Sequence, residues 1–175
     1  MFRVGNALAN EDFQELPDRA DWRQRLDVAE DQRLILFLGR LDRRKALDVL
    51  IDAFHRSEMG KERSLLFLAG PDNGVEAALR DQVRALGLDS KVRFLGLVDA
   101  EVRAGLFAAS DLCALTSHAE NFGNAAGEAM SAGLPVIVSE TCGIAEHVQE
   151  YQAGRVVSVD SAADLPPSFP AGRPP

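Results

Sequence analysis

The chain has 175 residues, 46% of them hydrophobic and 26% charged, a balance that supports one packed domain and excludes the composition of a disordered protein. A formal net charge of −8 argues against nucleic acid as a partner, because phosphate backbones are bound by an excess of Lys and Arg. Two cysteines without CxxC spacing, no apolar run near the roughly 18 residues of a membrane span, and no apolar signal core in MFRVGNALANEDF make a reducing cytoplasm the expected compartment.

Residues 1–30 are charged and read as a connecting arm, with one short helix around Trp22 to Val28. From residue 31 onward, apolar runs of strand length recur: LILFLG from Leu34, LLFLAG from Leu65, VRFLG from Val92, LCAL from Leu112, PVIVS from Pro135 and RVVSV from Arg155. Helical spacing fills the gaps, with Leu47, Leu50, Ile51 and Phe54 in a helix over 46–57, and Ala78, Val83 and Leu86 in another. Repeated strand and helix predicts an α/β domain over 31–160, a parallel sheet whose near-continuous apolar strands are covered by helices on both faces. After Asp160 the periodicity fails, and the proline-rich residues 161–175 read as a disordered tail.

The first three strands end at Gly39, Gly70 and Gly96. Ligands of open α/β sheets bind at the carboxyl ends of the strands, so the following loops are where chemistry is expected. Gly39-Arg40-Leu41-Asp42-Arg43-Arg44-Lys45 is the one basic cluster in an acidic chain, and it leads into a helix N-terminus, where backbone N–H groups favour an anion. Phosphate is the natural guest; a solvated basic turn is the bland alternative.

Further on, Glu120-Asn121-Phe122-Gly123-Asn124-Ala125-Ala126-Gly127-Glu128 opens a helix near Gly123. Helical spacing puts Glu128 on a stripe with Ala125, Ala129 and Ala132, where a carboxylate needs hydrogen-bond donors. Sugar hydroxyls would serve, and so would an Arg side chain or backbone N–H in a purely structural role. Glu120 falls in the loop after the fourth strand, at the rim. No GxGxxG follows a strand, no GxxxxGK[ST] occurs, and His55, His118 and His147 lack metal-ligand spacing.

GRLDRRKALDVLIDAF followed by the E-x7-E pattern in ENFGNAAGEAMSAGLPVIVS resembles the retaining glycosyltransferases with two Rossmann-like domains, the GT-B fold, over Val4 to Val159. The resemblance implies the Rossmann-like, C-terminal, donor-binding half of such an enzyme. It implies that Arg40 and Lys45 hold the diphosphate of a UDP- or GDP-sugar, Glu128 the ribose hydroxyls and Glu120 the donor sugar. The backbone of Phe122, Gly123 and Asn124 would face the sugar and distal phosphate, Leu97 and Val98 would flank the base, and Gly39 and Ala125 would line the same site. No metal or further cofactor is implied.

The acceptor, a glycan, lipid or small molecule, would be held by a second domain in cis or in trans. This chain alone is therefore expected to be inactive, and the complete enzyme could associate peripherally with the inner face of a membrane. Ala46 and the pair Cys142-Gly143 stand where that family commonly has glycines. Two other functions fit the same residues: a non-catalytic nucleotide-sugar module, or part of a GT-B-fold sugar-nucleotide epimerase.

Overall fold

The computed structural model describes residues 16–57 and 63–159; the stretch 161–175 and residues 1–15 of the arm lie outside them. Among the described residues six strands form one parallel sheet: β1 (Arg33–Leu38), β2 (Ser64–Ala69), β3 (Val92–Gly96), β4 (Leu112–Leu115), β5 (Val136–Ser139) and β6 (Gly154–Val157). The helices are α1 (Arg19–Arg25), α2 (Leu47–Arg56), α3 (Glu76–Ala85), α4 (Ala100–Ala109), α5 (Asn124–Ser131) and α6 (Ala145–Glu150). Each apolar run read as a strand is one. All six residues of β2 are buried, and successive strand residues point to opposite faces, so both faces are covered.

The strand order is β3-β2-β1-β4-β5-β6. From β1 the chain builds outward to β3, then crosses back to lay β4 on the other side of β1, where Ile35 pairs with Leu112 and Leu36 with Cys113. The connections leaving β1 and β4 diverge, which opens a crevice between their carboxyl ends, the place where a doubly wound sheet holds its ligand. No helix among the described residues is long and apolar enough to cross a membrane.

Helix α1 begins at Arg19, three residues before the predicted start, because Asp18 caps it by accepting from the Asp21 N–H at 2.9 Å. It is docked on α4. Trp22 is buried, and its indole lies so close to Gly105 that a Cβ there would stand 2.1 Å from the ring. A polar anchor completes the joint. Asp111, in the turn before β4, faces Arg19 at 2.7 Å, Arg23 at 3.5 Å and Arg33 at 3.6 Å, and accepts from the Leu34 N–H at 2.8 Å. Arg23 is buried and also donates to the carbonyls of Ala109, Ala29 and Gln32. Burial, assisted by the charge of Arg19, holds its pKa below the ordinary guanidinium value even with Asp111 opposing.

Candidate functional site

At the crevice between β1 and β4 lies a cleft of about 310 Å³ lined by Gly39, Lys45, Glu120, Gly123, Asn124, Ala125 and Glu128, together with Leu38, Leu115 and Arg103. Seven of the expected site residues thus meet in one place. Four others do not line it. The chain beyond Gly39 turns to bond the loop after β2, Leu41 N–H donating to the Pro71 carbonyl at 2.9 Å, and Arg40 is left exposed. Leu97, after β3, is 79% exposed, whereas Val98 and Phe122 pack against the core.

Lys45 is delivered by a short 3-10 turn, Arg43–Lys45, that leads into α2. Asp42 caps that turn, accepting from the Arg44 N–H at 2.9 Å and from the Arg44 side chain at 3.2 Å. Burial pushes the Asp42 carboxyl up, but these bonds and the charges of Arg44 and Lys45 outweigh it and hold the pKa below the ordinary value. Ala46 then takes the left-handed conformation at φ 47° and is fully buried before α2 begins. Glycine adopts that conformation without the steric penalty of a Cβ, so Ala46 holds it at a local cost.

The loop carrying Glu120 is strapped on two sides. His118 N–H donates to the Arg44 carbonyl at 2.7 Å, which ties the loop to the basic turn. Gly143 N–H donates to the Glu120 carbonyl at 3.1 Å and Ile144 N–H to that of Phe122 at 2.8 Å, which lays it along the segment after β5. Between these straps the Lys45 ammonium and the Glu120 carboxylate form an ion pair, both side chains mostly withdrawn from water. The thiol of Cys142 stands 3.2 Å from the Ser139 hydroxyl and is buried.

Gly123 enters α5 at φ 100°, no side chain caps the helix, and Gly123, Asn124 and Ala125 at its start line the cleft. The expected stripe divides: Ala129 and Ala132 are buried, as is Ala126, but Ala125 and Glu128 are only partly covered. Those two lie one position round the helix, on the side that lines the cleft. Glu128 meets Arg103 of α4, whose Nη1 stands 3.3 and 3.4 Å from its two carboxylate oxygens. Arg103 was not expected from sequence; its one signal is a lone cation in the apolar helix AEVRAGLFAA. Among the described residues no three His, Cys, Asp or Glu side chains are grouped as metal ligands.

Beneath Glu128, burial and then the Glu128 charge push the Cys113 thiol up to about 12. The folded state therefore keeps a proton that the unfolded chain gives up above the ordinary thiol value of about 8.5. That contribution to stability is fully present below about pH 8.5 and is lost as the pH rises toward 12. Urea titrations from pH 8 to 11 are expected to show a flatter decline for Cys113→Val than for the parent. Parallel declines would show that the thiol stays out of the proton linkage.

The family model for glycosyl transferases group 1 matches residues 18–166. The chain is 34% identical over 155 residues to the D-inositol 3-phosphate glycosyltransferase of Geodermatophilus obscurus, covering 84% of this chain and 34% of that protein. It superposes with a TM-score of 0.79 and 30% identity on WaaG, a glycosyltransferase involved in lipopolysaccharide biosynthesis, over 87% of this chain and 41% of that one. Anabaena HepE, solved in complex with UDP, gives the same score and identity over 89% and 43%. The chain spans about a third of the length of the curated relatives it matches. Sheet, strand order and likeness agree: the chain belongs to the group 1 glycosyl transferases and has the Rossmann-like architecture of the GT-B enzymes.

Proposed function

We propose that the cleft between β1 and β4 is the donor site of a retaining hexosyltransferase, taking the nucleoside diphosphate of a UDP- or GDP-sugar. The observation that carries this reading is the meeting of Lys45, Glu120, Arg103 and Glu128 beside the uncapped start of α5. In this reading Lys45 and the first amides of α5 hold the phosphates, with Arg40 approaching from the solvent side. Glu128 accepts from the ribose and Glu120 from the donor sugar. Departure of the nucleoside diphosphate concentrates negative charge on the leaving oxygen, and a cation fixed there lowers the transition state more than the ground state. Lys45 thereby takes the part a metal ion plays elsewhere. That HepE was solved with UDP and with UDP-glucose supports uridine nucleotides as the first to try.

Transfer also needs an acceptor oxygen held at the anomeric carbon, which a second domain in cis or in trans would supply. Such positioning is worth up to about 7–11 kcal/mol. The chain by itself is accordingly expected to bind donor without glycosylating a glycan, lipid or small-molecule acceptor. Thermal unfolding with millimolar UDP, GDP or ADP tests the binding. A ligand at 100 times its Kd adds about 2.7 kcal/mol, or about 5–10 °C in a domain of this size. A melting curve unmoved by all three would sink the proposal.

A further inference from the structure

We infer that Ser139, at the end of β5, is a positioning residue of the donor site: its buried hydroxyl hooks the backbone of the Glu120 loop and so aims the Glu120 carboxylate at the donor sugar. The inference rests on the donor-site reading above, in which Glu120 accepts from that sugar, and deepens it by naming what holds Glu120 in place. Pairing of β4 with β5 stops at Leu115 and Val138, and the two segments meet again at the isolated bridge between Glu120 and Cys142. Five steps of chain separate those points on one side and four on the other, so no regular ladder runs between them. Side chains close the gap instead.

Ser139 is fully buried at the end of an otherwise apolar strand, VIVS, where an unbonded hydroxyl would be costly. It is bonded twice to one residue. Its Oγ donates to the Ser117 carbonyl at 2.6 Å and accepts from the Ser117 N–H at 3.0 Å, which uses the hydroxyl both as donor and as acceptor. The Thr141 hydroxyl converges on the same carbonyl, its oxygen 3.0 Å from that of Ser139. Ser117 is itself fully buried and stands three residues before Glu120. The hook therefore fixes the chain on its way to Glu120, while the Gly143 N–H holds the Glu120 carbonyl from the other side. Neither Ser139 nor Thr141 lines the cleft, so each can reach a ligand only through the residue it positions. A displacement of about 1 Å in a recognition group is enough to weaken its contacts.

If Ser139 merely tied β4 to β5, its loss would lower stability and leave the balance between ligands unchanged. Calorimetric titration of the whole chain with UDP and UDP-glucose, and with GDP and GDP-mannose, separates the two roles on whichever pair the parent binds. Ser139→Ala is expected to weaken the nucleotide sugar by about three- to tenfold, the worth of one hydrogen bond, while the free diphosphate changes little. Ser139→Thr, which keeps the hydroxyl, is expected to retain the parent's ratio. Thr141→Val is expected to shift the ratio in the same direction by less, and serves if Ser139→Ala does not fold. Glu120→Ala is expected to shift it at least as far, and adding Ser139→Ala to that variant should move it no further, because a residue acting through Glu120 has nothing left to position. A ratio equal to the parent's in folded Ser139→Ala or Thr141→Val, or a full further shift on top of Glu120→Ala, would overturn the role of Ser139 and leave the donor site standing. Failure of the parent to bind any of the four would remove both.

Discussion

Lys45→Ala is expected to weaken nucleoside diphosphate binding by about 10- to 100-fold, the worth of a hydrogen bond to a charged group of about 1.5–3 kcal/mol. The ammonium is largely withdrawn from solvent and held by a capped turn, so its loss is not made good by water or by a neighbour. Arg40 is exposed, and Arg40→Ala is expected to cost less, with Arg43→Ala costing least. Glu120→Gln should act in the opposite sense on UDP. Removing the carboxylate that faces Lys45 leaves more positive potential for phosphate, so UDP tightens, while a UDP-sugar loses an acceptor for its hydroxyls. The ratio of the two affinities, read by calorimetry, should therefore shift toward UDP. Equal losses at Lys45, Arg40 and Arg43 that vanish in high salt would point to a diffuse field in place of a site.

Asp111→Ala is expected to lower stability by about 3–5 kcal/mol, because removing one partner of a buried ion pair leaves the other uncompensated. For a domain of this size that is about 8–15 °C in the melting midpoint. The weight falls on Arg23 and the Leu34 N–H. Arg19 and Arg33 are substantially exposed and contribute little through charge. Asp111→Asn keeps an acceptor for Leu34 and should fall between. Circular dichroism melts decide it, and a midpoint for Asp111→Ala within about 2 °C of the parent would show that α1 is held by Trp22 packing alone.

The architecture was legible because its signals are local. Buried parallel strands write themselves as apolar runs, and Gly39, Gly70 and Gly96 mark the first three strand ends. The site was legible where it follows an element directly, as Lys45 follows β1 and Glu128 lies within α5. Arg103 was not, because its partner is 25 residues away on another helix, and no period along the chain encodes that meeting. The start of α1 was missed for a different reason. Its cap, Asp18 after Pro17, lies outside any apolar pattern, and only capping chemistry marks it. The rotation of α5 was legible only in part, because a stripe of alanines fits several rotations of a helix equally well: Ala129 and Ala132 are buried as expected, while Ala125 and Glu128 line the cleft. Glycine at 123 and the contacts of Ala126 and Ala129 choose among them.

The Lys45–Glu120 pair spans 75 residues of chain, and its two sides belong to halves of the sheet that meet only where β1 pairs with β4. Each half is built from neighbouring strands and can gather early in folding, whereas the cleft waits for a distant closure, the kind that loop entropy makes slow. A partly folded chain with only one half of the sheet in place would have no complete cleft. A ligand that requires both sides would protect only the fully assembled molecule, leaving earlier intermediates as open to proteases and chaperones as before.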